Sequence, residues 1–289
     1  MADTDNKLIP SVLEACKTAN GVLNSELQTH IQALLGCSKT QLGQALLPYA
    51  ASFAQAPISS FLVGAVAYDK HSDHYFLGAN LEFSHRALSL VVHAEQAAIN
   101  NAWLNGAKEI TSLDITAAPC GYCRQFMNEL SNAKELKITL PTGETTLSQL
   151  LPGDFGPTDL GNQESLFDSA PIAINKVGEL SDKLVSHLSQ VYAPYTKNIA
   201  AAELVMKSGK RFYGRYVENA AYSPSLSPMQ SALSQLAMSG EILAEAKLER
   251  ATLVETKGRE NQRAVTEAVI SSFNETLKLH YYLIESKQA

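Results

Sequence analysis

Apolar positions along this chain change their spacing near residue 57, and the change divides the sequence. Up to that point they recur at helical intervals, as Leu27, Ile31, Leu34 and Leu35 do. Three pairs, Ser11/Glu14, Ser25/Gln28 and Ser38/Gln41, have the form of capping boxes and predict helix starts. Cys16 and Cys37 fall inside this helical lead-in and read as small packing residues. From Pro57 the runs shorten to strand length. Residues 61–68 and 74–83 predict two strands joined by a polar turn; 91–104 a helix, 110–116 a strand, 123–131 a helix and 136–140 a strand. This β-β-α-β-α-β order implies an α/β fold, with a partly parallel sheet and helices on its faces.

Residues 151–184 break the pattern. LPGDFGPTDLGNQ is dense in Gly, Pro and Asp and reads as an extended connector. Beyond it the earlier order returns: strands over 199–206 and 211–218, an apolar segment over 229–238, a strand over 251–256, a helix over 264–277 and a strand over 280–284. Anchors support an internal repeat. Ala56-Pro57 matches Ala193-Pro194, Glu82 matches Glu218, and HAEQAAI (from His93) aligns without a gap to SPMQSAL (from Ser227). The chain therefore divides into a helical segment (1–47), a first α/β domain (48–150), a connector (151–184) and a second, related domain (185–289).

Length and charge narrow the partners. A chain of 289 residues suits about two domains. With 45 % hydrophobic and 18 % charged residues, it has globular rather than disordered composition. No apolar run approaches the roughly 18 residues of a membrane span, and the polar start MADTDNKLIP lacks the form of a secretory signal. The net charge of −6 argues against binding nucleic acid through its phosphates. Four cysteines make no disulfide framework. A cytoplasmic protein acting on a small molecule is the expectation.

The candidate chemistry lies in the first domain. His93-x-Glu95 is followed by Pro119-Cys120-x-x-Cys123, and this H-x-E…P-C-x-x-C grammar is similar to that of the zinc deaminases. Cys120 and Cys123 at a helix start can turn both sulfurs to one point, where the helix N-terminus also favours thiolate. His93 and Glu95, in the first turn of another helix, can lean toward the same point. One imidazole and two thiolates neutralise Zn²⁺ and leave a fourth position for water, as a catalytic zinc requires. The metal would make hydroxide available near neutral pH, and unligated Glu95 could carry its proton. A thioredoxin-like redox pair would need neither Pro119 nor His93-x-Glu95. A structural zinc would need a fourth protein ligand, and Cys16 and Cys37 lie in the helical lead-in.

GANLEF, HAEQAAI and PCGYCRQFMNEL resemble the cytidine deaminases, specifically the larger bacterial type in which a helical segment, a working domain and a degenerate second copy share one chain. The resemblance covers nearly the whole sequence. It implies hydrolysis of cytidine and 2′-deoxycytidine to the uridine forms with release of ammonia, one Zn²⁺ per chain held by His93, Cys120 and Cys123, and Glu95 as the proton carrier. Asn80 and Glu82 then match the pair that grips the ribose 3′-hydroxyl, Phe61 an aromatic near the pyrimidine, and Ala94 a backbone contact to the base. Phe61 could equally be a core strand residue on periodicity alone. Asp154 and Phe155 match a connector segment that covers a neighbouring subunit's site in a homodimer, although Phe155 could instead pack on its own chain. Ala117 departs from relatives with an aromatic at that place and leaves part of the pocket wall open.

The second copy has Ser227 in the place of His93 and Met229 in that of Glu95, and no cysteine follows Cys123. It is either inert or a structural half that completes the first; the resemblance implies the second. Two rivals remain. A nucleotide or nucleic-acid deaminase would share the motif, but Lys70 is the one Lys or Arg between Pro57 and Glu82. A zinc-stabilised interaction module would have no use for Glu95.

Overall fold

The computed structural model describes residues 8–174, 178 and 180–285; the outermost parts of the helical segment and second domain, and part of the connector, lie outside these. The lead-in consists of α1 (Pro10–Thr18), a two-residue strand β1 (Val22–Leu23), α2 (Ser25–Leu35) and α3 (Lys39–Ala51). One of the three expected capping boxes forms where predicted: Ser38 opens α3 and its N–H donates to Gln41 Oε1 at 3.0 Å. At α2 the cap is Asn24, whose side chain accepts from Leu27 N, while Ser25 Oγ turns out to Asp73. At α1, Pro10 takes the first helical position, where its missing N–H costs nothing, so Ser11 is already inside. These helices bury Val12, Cys16, Ile31, Leu42 and Leu46 against Val66, Tyr75 and Leu77 of the first sheet.

That sheet contains β2 (Gly64–Asp69), β3 (His74–Ala79), β4 (Ser112–Ile115), β5 (Lys137–Leu140) and β6 (Gly143–Thr146), in the order β1-β3-β2-β4-β5-β6. β4 and β5 are parallel; the other pairs are antiparallel. The helices α4 (Ala94–Leu104) and α5 (Gly121–Met127) carry the candidate metal donors at their starts, and a short α6 (Leu147–Leu150) follows β6. Both early strands are shorter than their apolar runs. The reason is one side chain: Asn80 Oδ1 accepts from Val63 N and its Nδ2 donates to Phe61 O, so a side chain replaces the ladder there. The polar edge strand β6, GETT, carries no apolar signal.

A helix, α7 (Asp182–Leu188), begins within the last residues of the expected connector, and β7 (Ala200–Met206), β8 (Arg211–Arg215), α8 (Pro228–Met238), β9 (Leu248–Thr256), α9 (Arg263–Ser271) and β10 (Leu279–Ile284) follow. The order β10-β9-β7-β8 mirrors β5-β4-β2-β3, with β9 and β10 again the parallel pair. The repeat extends to fine detail. Ser60 and Lys197 both take positive φ (56° and 62°). Leu81 bridges Gln55 and Val92 as Val217 bridges Tyr192 and Leu226. Gly78 and Gly214 are required for one reason: a Cβ would lie 2.1 Å from Ala98 N in one half and 2.0 Å from Pro228 O in the other, where a helix presses on the sheet.

The halves share one core across α4 and α8, with Ala98, Ala102, Leu233 and Leu236 fully buried. Their junction is nearly two-fold symmetric. Gln96 Nε2 donates to Pro224 O, and its counterpart Gln230 Nε2 donates to Leu90 O. Between them Asn100 donates to Ser234 Oγ at 3.0 Å and accepts from Ser231 Oγ at 2.7 Å. The buried amides are thus paired, as a dry junction demands. Among the described residues, no helix is long and apolar enough to cross a membrane.

Candidate active site

His93 caps α4 in extended conformation, its N–H donating to Gln96 Oε1 at 3.2 Å, and Glu95 is the helix's second residue. Cys120 caps α5 and Cys123 is its third residue. Two helix starts therefore face one point. Cys120 Sγ lies 3.7 Å from His93 Nδ1 and 3.5 Å from Cys123 Sγ, and the three donors fall within 4.8 Å of one another. A tetrahedral zinc with bonds of about 2.3 Å to sulfur and 2.0 Å to nitrogen separates its ligands by about 3.5–3.8 Å. The donor set fits the ion. Tyr122 stacks on the His93 ring at 4.9 Å and helps fix its plane.

The three donors are electrostatically coupled to one another. Hydrogen bonds from Cys123 and His93 push the Cys120 thiol down to about 3. Cys123 is pushed up in turn, by the hydrogen bond to Cys120 and by burial. Burial works against protonation of His93, but the hydrogen bond to Cys120 and its charge prevail and raise it. Glu95 is 4 % exposed, and burial raises its carboxyl above the usual range.

Two of the donors, His93 and Cys120, line a cavity of about 280 Å³, with Cys123 buried behind them. Its lining brings together Phe61, Asn80, Glu82, His93, Ala94, Glu95 and Cys120, residues spread over 60 positions of sequence. Phe61 is 60 % exposed rather than in the core, because the strand begins only at Gly64. Glu82 accepts from Ile58 N at 2.8 Å, Ser59 N at 2.9 Å and Ser59 Oγ; these bonds outweigh burial and hold its carboxyl below the usual range. Phe155 is the exception. It does not line the cavity of its own chain and stands 47 % exposed, while its carbonyl accepts from Gln125 Nε2 at 2.6 Å and Asn128 Nδ2 at 3.2 Å. Sequence reasoning missed Ser59, Tyr122 and the wall residues Val91 and Val92. Ser59 had a signal, since Thr196 holds the matching place after Pro194 and clamps Glu218 in the same way. Larger clefts, one of about 650 Å³ beside the connector, hold no cluster of three close metal donors among the described residues.

In the second half Ser227 caps α8, accepting from Gln230 N at 3.2 Å, and Met229 is fully buried, so packing and capping have replaced ligand and acid. The class this site defines is also what comparison finds. Models described as the cytidine and deoxycytidylate deaminase zinc-binding region match residues 39–139 and 147–267. Cytidine deaminase of Vibrio vulnificus is 42 % identical over 250 residues, covering 85 % of this chain and 84 % of that protein. That of Vibrio cholerae is 39 % identical over 275 residues, covering 93 % and 92 %. A solved cytidine deaminase from Mycobacterium tuberculosis is 28 % identical with a TM-score of 0.38, covering 42 % of this chain and 99 % of its own. The chain belongs to the cytidine deaminase family.

Proposed function

We propose that the chain hydrolyses cytidine and 2′-deoxycytidine to the corresponding uridine forms, releasing ammonia, as a step of pyrimidine salvage. The observation that carries this reading is the buried Glu95 carboxyl beside a donor set of zinc spacing, both facing one small cavity. A Zn²⁺ held by His93, Cys120 and Cys123 supplies, when bound, an acidified water and a Lewis acid. Glu95 does the proton work. Its carboxyl, raised above the usual range by burial, would take a proton from the attacking water and give it to the ring nitrogen next to C4, then carry the water's second proton to the departing amine. Asn80 and Glu82, each fixed by the backbone groups it binds, keep spare oxygen lone pairs for the sugar hydroxyl. Phe61 flanks the pyrimidine at the mouth, and Ala94 offers backbone between ligand and acid. A cavity of about 280 Å³ suits one nucleoside and not a strand, and neither Lys nor Arg lines it to meet a phosphate.

The same proposal assigns chemistry to residues 48–150, with 1–47 backing the sheet, 151–184 connecting, and 185–289 structural. It includes a homodimer in the cytoplasm. Exposed Ile58, Phe61, Leu62 and Leu88 give the mouth region an apolar rim, and Phe155 presents a ring its own chain leaves half uncovered. A second copy laid over the rim would bury these groups and exclude water from the reacting ring. Ammonia release from cytidine, measured beside CMP and single-stranded DNA, tests the reading: turnover confined to the nucleoside is expected. Turnover of CMP or DNA in preference to cytidine would overturn it.

A further inference from the structure

One buried acid has no part in this chemistry. Glu129 lies two residues beyond α5, the helix that carries Cys120 and Cys123, and is fully buried. Its carboxylate accepts from the Tyr192 hydroxyl at 2.7 Å, the Tyr195 hydroxyl at 3.0 Å and the Ala220 N–H at 2.6 Å. All three donors belong to the half that has lost its ligands. The Glu129 carbonyl accepts from Leu166 N of the connector at 3.0 Å. One turn earlier, Asn219 of the second half donates to Gln125 O at 2.8 Å. Burial, with Glu218 nearby, raises the Glu129 carboxyl, and a buried carboxylate persists only where several donors hold it. The converse grip exists too: Arg86, in the loop before α4, donates to Ala268 O at 3.0 Å and Ser271 O at 3.1 Å near the end of α9. Each half thus fastens one helix of the other, α5 in the first and its counterpart α9 in the second, and of these two α5 alone bears metal donors.

We propose that Glu129 is a positioning residue for the metal centre: it locks the end of α5 to the second half and thereby sets where Cys120 and Cys123 stand. The helix has seven residues. Cys123 is about 9 Å from Glu129 along the axis at the usual rise. A segment so short turns as a rigid piece, so slackening its far end moves both sulfurs, whose spacing of 3.5 Å must be kept. The inference rests on the metal reading above.

The test uses full-length, zinc-loaded protein carrying Glu129→Gln, which keeps size and removes the charge. Zinc loss to excess chelator should be about tenfold faster, the usual scale for partners outside the ligand set. The visible bands of the cobalt(II)-loaded protein should shift, and kcat for cytidine should fall with KM held. A lower melting temperature with wild-type zinc release and wild-type cobalt bands would show Glu129 to be structural only and overturn the proposal. Should Glu129→Gln fail to fold, Tyr195→Phe removes one donor and keeps the carboxylate. Faster zinc release there supports the proposal, and an unchanged rate overturns it. Absence of zinc from the wild-type protein would instead remove the metal reading, and this inference with it.

Discussion

Acidification from about pH 7.5 to about pH 5 should destabilise the folded chain by about 2 kcal/mol through His187 alone. This histidine, on α7, is buried, accepts from Arg215 Nε at 3.1 Å and stacks on Tyr213 at 4.9 Å. Arg215 in turn lies over the Trp103 ring of the first half at 4.9 Å. Burial first, then the Arg215 and Lys183 charges, push His187 down to about 3. The folded state therefore keeps it neutral, while an unfolded chain binds a proton below about 6.5. Its contribution is complete above that value and is lost as pH falls toward the folded one. At about pH 5 the loss spans some 1.5 units at about 1.4 kcal/mol each, hence about 2 kcal/mol. His187→Gln leaves Arg215 an amide acceptor and removes the titration. Urea unfolding midpoints at both pH values, with zinc held constant, give the comparison, in which effects common to both proteins cancel. The wild type should lose about 2 kcal/mol more than the variant. Parallel losses would show that His187 is not held neutral, and that the Arg215 contact differs from the one described.

Four further outcomes are expected. Metal analysis of pure protein should find one tightly bound zinc per chain; close to two would mean that the second half retains ligands. Glu95→Ala should keep that zinc while turnover falls about 10²–10⁴-fold, whereas His93→Ala and Cys120→Ala lose metal and activity together; near-normal turnover of Glu95→Ala would sink the proton-carrier role. A 3′-phosphorylated cytidine should be a far poorer substrate than cytidine, because an anion about 4 Å from Glu82 is repelled by about 4 kcal/mol at an effective dielectric of 20; comparable kcat/KM would dissociate Glu82 from the sugar. Full-length protein should sediment at twice the chain mass, and a chain ended near Asp159 should lose activity with its zinc motif intact; a fully active monomer or truncated form would make the second half dispensable.

Much of the fold was legible because its repeat is written twice. The two β-β-α-β-α-β runs emerge with the expected order, and the paired anchors Glu82 and Glu218 occupy equivalent clamps. Spacing also placed the metal donors at two helix starts, since a cap and a third residue are fixed by local geometry alone. What stayed hidden was decided by contacts distant in sequence or by side chains standing in for backbone. The late start of the first strand follows from Asn80, 17 residues from its partner Val63. The edge strand β6 has polar residues and pairs only through backbone. The short helix α7 sits against a connector whose Gly and Pro content masked it. Glu129 shows no local pattern at all, because its partners lie 63, 66 and 91 residues away.

The junction between α4 and α8 has a consequence for how such a chain can vary. Where two identical subunits meet across a two-fold axis the shared face must be complementary to itself, and any change appears on both sides of the axis at once. Here Gln96 and Gln230 still follow the two-fold rule, but Asn100 meets Ser231 and Ser234 instead of another asparagine. A covalent tether frees each side to change alone, and this pair has become a lock and key. An asparagine facing its own copy there would crowd two amides into space now filled by one amide and two hydroxyls. The two halves are thereby fitted to each other rather than to themselves: at this point the contact is directional, and exchanging one half for a second copy of the other would break it.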